Sequence, residues 1–324
     1  MQAFNLTHPA GSQAAITAAS GPNTKYIAGG TDLLQLTKDN VETPAQLVDL
    51  EALHLSGIHP SADRLRLEPM ARMSDVAAHA DVAKRWPVLS QALLASASPQ
   101  VRNMGTMGGN LLQRTRCGYF RDTGFACNKR APGSGCPAIN GENRLHAILG
   151  GSDHCIATHA SDMAVAMLAL DAELELTSQA GTRKVPISDF HLLPGDTPHI
   201  ETVLLPGEMI TAINLPASAA AQRSYYLKIR DRASFEWAVV SVAVALDIDG
   251  GTIRAARIAA GGVGTKPWRL PEVEAGLTGK QADTATLKAA ADQAGADAKP
   301  ASMNGFKQVL LRRAVLRALQ TVSA

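Results

Sequence analysis

The stretch Lys25-Tyr26-Ile27-Ala28-Gly29-Gly30-Thr31-Asp32-Leu33-Leu34-Gln35-Leu36 decides how the first half of this chain is read. A short strand end runs into a glycine pair, and a capping residue, Thr31 or Asp32, then opens a short helix. Paired glycines let backbone N–H groups turn inward and approach an anion closely, and a helix start adds a favourable dipole. A second turn of this kind occurs at Gly105-Thr106-Met107-Gly108-Gly109-Asn110, ahead of Leu111-Leu112. Two such turns make a candidate cradle for a diphosphate. Neither matches G-x-G-x-x-G or the nucleotide P-loop with its Lys-Ser/Thr ending, which argues against a Rossmann dehydrogenase and a P-loop ATPase.

Outward from these turns, short strands and helical stretches alternate through the first half, an α/β pattern. Residues 72–86 are predicted helical with Ser74 as the cap, and Ser161-Asp162 opens an apolar helix over 163–170. A small-residue stretch, Pro216-Ala217-Ser218-Ala219-Ala220-Ala221, marks the expected domain boundary. Beyond it the period changes to two. Residues 225–230 read as a strand, and Val240, Val242, Val244, Leu246 and Ile248 alternate with small or polar residues as in a half-buried strand. Asp249-Gly250-Gly251 predicts a hairpin turn with 252–260 returning. A closing helix over 306–321 is expected to bury Val309, Leu310, Val315 and Leu319.

Composition bounds the rest. The 324 residues are 46% hydrophobic and 19% charged, those of a globular chain able to bury a core. At about 150 residues per domain, two domains are expected. Lys+Arg 31 against Asp+Glu 29 leaves a net charge of +2, which gives no electrostatic case for nucleic acid or an anionic membrane as partner. No run of apolar residues is long enough to span a bilayer. The N-terminal residues lack a basic region followed by an apolar one, so no secretory signal of the chain's own is expected. No Ser/His/Asp signature and no paired His motif is present.

The four cysteines, Cys117, Cys127, Cys136 and Cys155, fall in one Gly-, Arg- and Pro-rich loop with the spacing C-x9-C-x8-C-x18-C. Two disulfides, a zinc site and an iron–sulfur cluster are all open on spacing alone, since no C-x2-C pair occurs. Arg114, Arg116, Arg121, Lys129 and Arg130 crowd the first two cysteines, and nearby cations would stabilise an anionic cluster.

Taken together these residues resemble the FAD-binding subunit of the molybdenum hydroxylases, the family of xanthine dehydrogenase and carbon monoxide dehydrogenase. AGGTDLL from Ala28, GTMGGN from Gly105, SDMAVAMLALDA from Ser161 and KIRDRASFEWAVVSVAVAL from Lys228 carry the likeness, in this order and over nearly the whole chain. The cysteine loop, an insertion that most members lack, resembles that of the flavin subunits of bacterial periplasmic aldehyde oxidoreductases through GNLLQRTRC, CNKRAPGSGC and CIATHASDMAVAM.

The resemblance implies an α/β FAD-binding domain of two subdomains over 1–218, with an iron–sulfur loop insertion at 114–155. An α+β domain with a short antiparallel sheet and C-terminal helices follows over 222–324. FAD would be held by Tyr26, Ile27, Ala28, Gly29, Gly30, Thr31, Asp32, Leu33 and Leu34, by Gly105, Thr106, Gly108, Gly109 and Asn110, and by Asp162 and Lys228. Cys117, Cys127, Cys136 and Cys155 would ligate a [4Fe–4S] cluster.

Asp32 departs from the Asn expected in the nearest relatives. A carboxylate facing a diphosphate is unfavourable, so it is expected to point away or to cap the helix. No residue of this chain is expected to act as an acid or base on substrate. The implied partners are a molybdenum-cofactor large subunit, a [2Fe–2S] small subunit and an external electron acceptor. Aldehyde oxidation is the implied activity. An aromatic acyl-CoA reductase or purine hydroxylase complex, and a zinc-stapled interaction module without redox role, are the alternatives. The implied location is cytoplasmic, or periplasmic by co-export with a partner bearing a twin-arginine signal.

Overall fold

The computed structural model describes all 324 residues. The chain builds an α/β region of two sheets and then an α+β region. In the first subdomain Asn5–Thr7, Gln46–Asp49 and Thr24–Ile27 form a parallel sheet in that spatial order, with Ser12–Ala19 packed against it. The second subdomain is an antiparallel sheet ordered Ile58–Pro60, Arg64–Leu67, Met209–Pro216, Glu173–Ser178 and Gly181–Pro186. Its core is shared with the helices Pro87–Ala95 and Asp162–Ala169. Every residue of Asp162–Ala169 is buried, as its unbroken apolar run requires.

The third sheet is antiparallel, ordered Trp268–Arg269, Thr252–Gly261, Val240–Asp249 and Ser224–Ile229. Its central hairpin turns on Gly250 and Gly251 with φ of 56° and 79°, the left-handed geometry that two-residue turns demand of glycine. No helix of the chain is long and apolar enough to cross a membrane.

Four expectations change. Residues 72–86 form two helices, Met73–Ala78 and Ala80–Arg85, broken where His79 turns extended at ψ 124°, and Arg72 rather than Ser74 holds the first cap position. The pair Gly108-Gly109, expected as a turn, lies inside the short helix Met107–Leu111 that Thr106 caps. Val240 to Leu246 are buried on both faces rather than one. Ala243 faces the core shared with the FAD-domain helices, and Val242, Val244 and Leu246 face the C-terminal helices. The last helix, Phe306–Ser323, buries Lys307, Leu311, Ala314, Val315, Ala318, Leu319 and Val322, an i, i+4, i+7 stripe that leaves Val309 at 51% exposure on the far side.

Candidate functional site

The two glycine turns touch each other. A Cβ on Gly29 would lie 1.9 Å from the carbonyl oxygen of Met104, the residue just before Gly105. Only glycine permits this backbone-on-backbone approach, and Arg72 Nη1 fixes the same oxygen with a 2.6 Å hydrogen bond. Gly30 sits at φ +66°, so the chain reverses there without a Cβ penalty. The N–H groups of Gly29, Gly30, Thr31, Asp32 and Leu33 donate to no acceptor in the protein. Five successive N–H groups without a protein acceptor on a half-buried cleft wall mark a place for an acceptor-rich ligand.

The cleft measures about 760 Å³, within the range of cofactor sites. Its wall includes Tyr26, Ile27, Ala28, Gly29, Gly30, Thr31, Asp32 and Leu33 from the first turn and Gly105, Thr106, Gly108, Gly109 and Asn110 from the second, together with Asp162. Leu34 is not in the lining; its side chain lies beneath Gly30. In the same wall Arg116 Nε, His159 Nε2 and His191 Nδ1 are buried without a protein partner. Burial holds the His191 imidazole down at about 4 and His159 well below its usual value, so both rings are neutral at pH 7. Free N–H groups, orphaned ring nitrogens and the volume fit a dinucleotide cofactor.

Asp162 is placed by a cap and a clamp. The Ser161 hydroxyl accepts the Ala164 N–H at 2.9 Å, which starts the helix and turns Asp162 inward. Its carboxylate accepts from Lys228 Nζ at 2.7 Å, the Tyr226 hydroxyl at 2.6 Å and the Ser96 hydroxyl at 3.1 Å. Lys228 and Asp162 are 3% and 4% exposed, so the pair is desolvated. Lys228 is not in the cleft lining and lies behind Asp162, with its second bond to Ala95 O.

Asp32 turns its carboxylate toward the cysteine loop and makes no capping bond. Oδ1 meets Arg116 at 2.9 Å and Arg121 at 2.7 Å, and Oδ2 accepts the Arg114 N–H at 2.8 Å. Of the five basic residues that crowd the first cysteines, Arg114, Arg116, Arg121 and Lys129 are paired with carboxylates, and Arg130 donates to the carbonyls of Tyr119 and Phe120. Arg114 bridges Glu42 and Glu201, Lys25 pairs with Glu42 at 3.0 Å, and Lys129 with Glu201 at 2.8 Å. This ionic net ties the first glycine turn, the cysteine loop and the 191–208 segment into one wall.

All four cysteines are free thiols and line a single small cavity. Burial pushes the Cys117 thiol up to about 12 and raises Cys136 and Cys155 as well. Opposing this, backbone N–H groups of Tyr119 and Phe120 point at Cys117, those of Ala138, Ile139 and Ile156 at Cys136, and that of Ala157 at Cys155. His146 Nε2 lies 3.2 Å from Cys117 Sγ. No three His, Cys, Asp or Glu side chains gather closely enough to hold a metal ion. Phe120, fully buried between Leu36 and Val41, docks this loop on the helix that follows the first glycine turn.

Sequence reasoning missed the support behind the loop. Lys307, fully buried, donates to the carbonyls of Leu145, His146 and Gly262 at 2.9, 2.9 and 2.7 Å, and Asn304 donates to those of His146 and Ala147. A lysine in register with Leu311 and Ala314 on the apolar stripe was the signal available. Trp237 was missed as a cleft residue, because no periodicity marks the loop that carries it.

Residues 2–218 match the FAD binding domain in molybdopterin dehydrogenase, and residues 225–322 match the CO dehydrogenase flavoprotein C-terminal domain. The chain belongs to the FAD-binding subunits of the molybdenum hydroxylase family. It is 48% identical over 315 residues to the aldehyde oxidoreductase FAD-binding subunit PaoB of Escherichia coli (strain K12), covering 96% of this chain and 95% of that one. It is also similar to the glyceraldehyde dehydrogenase medium chain of Sulfolobus acidocaldarius, at 28% identity over 86% of this chain and 82% of the relative. Among solved structures, quinoline 2-oxidoreductase from Pseudomonas putida 86 superposes with a TM-score of 0.77 at 27% identity, over 99% of this chain and 97% of that one.

Proposed function

We propose that this chain carries FAD and one [4Fe–4S] cluster as the electron-transfer subunit of a molybdenum-dependent aldehyde oxidoreductase. Aldehyde is oxidised on a separate molybdenum-cofactor subunit, and electrons reach this chain through a [2Fe–2S] small subunit and leave to an external acceptor. The observation that carries the reading is the shared wall. Cys155, Ala157 and Lys129 line both the large cleft and the four-cysteine cavity, so one layer of side chains divides the two sites. The aldehyde class follows the likeness to the E. coli subunit.

The bound cofactors supply the redox chemistry, which the side chains here do not. The protein's part is to hold and tune. The N–H groups of Gly29 to Leu33 would hold the diphosphate of FAD, with the segment Gly105 to Asn110 beside it. Asp162 would meet FAD from the cleft wall, and Lys228 holds that carboxylate in place. Cys117, Cys127, Cys136 and Cys155 ligate the cluster as thiolates. Burial makes the Cys117, Cys136 and Cys155 thiols resist ionisation on their own, and metal charge would overcome this. The N–H groups aimed at the sulfurs and the Lys129 ammonium near Cys155 favour the same ionised form. In this reading 1–218 is the FAD domain, 114–155 its cluster-bearing insertion and 222–324 the C-terminal domain.

Cys127→Ser tests the assignment of the loop. Iron and acid-labile sulfide should fall from about four per chain to below about one, while flavin stays near one per chain. Unchanged iron in this variant would show that the four cysteines do not hold a cluster.

A further inference from the structure

The loop between the strands Ser224–Ile229 and Val240–Asp249 brings one residue, Trp237, into the cleft wall. Its base is closed by Val239 N–H donating to Ile229 O at 2.9 Å. One side is pinned by Arg230 on Ala95 O and by Asp231 on Arg144, at 3.2 and 2.8 Å. The other side has a different fastening. The Arg116 guanidinium stacks on the Trp237 ring, 4.2 Å from its centroid, and Trp237 lines the cleft while 37% exposed. Arg116 is itself held from the first glycine turn by Asp32 at 2.9 Å.

We propose that the Arg116–Trp237 stack is a latch across the cleft mouth, joining the C-terminal domain to the FAD domain and governing how fast FAD escapes and how far small solutes reach it. The inference rests on the reading of the cleft as the FAD site. The stack's two halves come from different domains, so it has to part if the loop is to lift. Its base cannot swing away, because the Asp32 carboxylate holds the guanidinium edge while the indole covers its face. A cation–π contact is strong enough to bias the loop closed and weak enough to open on each exchange. Trp237 is a positioning residue here and is given no part in electron transfer.

The test uses the full chain loaded with FAD, for wild type, Trp237→Ala and Trp237→Phe. FAD release is followed by dilution into excess apo-flavoprotein trap, and solvent access by iodide quenching of flavin fluorescence. Trp237→Ala should release FAD about 2- to 30-fold faster, the span of a cation–π contact of about 0.5–2 kcal/mol, with stronger iodide quenching. Trp237→Phe, which keeps an aromatic face, should lie closer to wild type than to Ala. In wild type, FAD binding should also quench Trp237 emission. Equal release and equal quenching in wild type and Trp237→Ala would overturn the latch while leaving the FAD site standing, as would a Phe variant as leaky as Ala. A wild-type chain that takes up no FAD would overturn the cofactor assignment, and the latch with it.

Discussion

Gly29→Ala should leave a folded chain that holds FAD at least about tenfold more weakly, a loss of about 1.4 kcal/mol or more. One methyl group is enough, because it would lie 1.9 Å from Met104 O and 2.7 Å from the carbonyl carbon behind it. That backbone cannot retreat freely, since Arg72 holds the oxygen and Gly105 N–H donates to Val101 O at 2.7 Å. The two turns therefore part, and the row of free N–H groups loses its alignment with the second turn. Gly30→Val attacks the same site by another route, forcing a β-branched residue to φ +66°. Gly11→Ala is the control, as a Cβ there meets nothing within 4 Å. Flavin released per chain and equilibrium titration with FAD give the readouts. Full FAD affinity in Gly29→Ala would mean that the contact between the turns does not shape the site.

Lys228→Met should destabilise the chain by about 3–5 kcal/mol, the cost of leaving a buried carboxylate without its counter-charge. Asp162 would keep the Tyr226 and Ser96 hydroxyls, which are neutral donors and cannot balance the charge. Adding Asp162→Asn to Lys228→Met should recover a large part of the loss, because the uncompensated charge goes with it. Denaturant midpoints of the three chains measure both effects. A loss below about 1 kcal/mol in Lys228→Met would place the pair in the class of solvated surface bridges.

What the sequence made legible was local. Gly29-Gly30 read as a tight turn because glycine pairs have few other uses beside a capping residue, whereas Gly108-Gly109, read the same way, lie inside the short helix Met107–Leu111. Ser161 read as a cap because a hydroxyl before an apolar run has one obvious backbone donor to serve. Gly250-Gly251 is the two-residue turn that period-two strands on either side imply. The illegible part depends on tertiary partners. Nothing in the spacing of Gly29 and Met104 says they touch, and nothing about Asp32 says its partners lie more than 80 residues away at Arg114, Arg116 and Arg121. Val240 to Leu246 alternate in size, yet both faces are covered because the small residues accept a helix as closely as the large ones do. Lys307 looks like a surface residue until three carbonyls from other segments converge on its amine. The cysteine loop shows the same division: its composition marked it as unusual, and only the fold gathers its four thiols around one cavity.

The most direct test of two cofactors in one chain is a single anaerobic preparation, assayed by visible absorption, by iron, sulfide and zinc content and by released flavin. The account predicts flavin bands over a broad iron–sulfur shoulder, with about one FAD and about four iron and four sulfide per chain. Flavin without iron would contradict the cluster, and a colourless protein with one zinc would contradict the account as a whole.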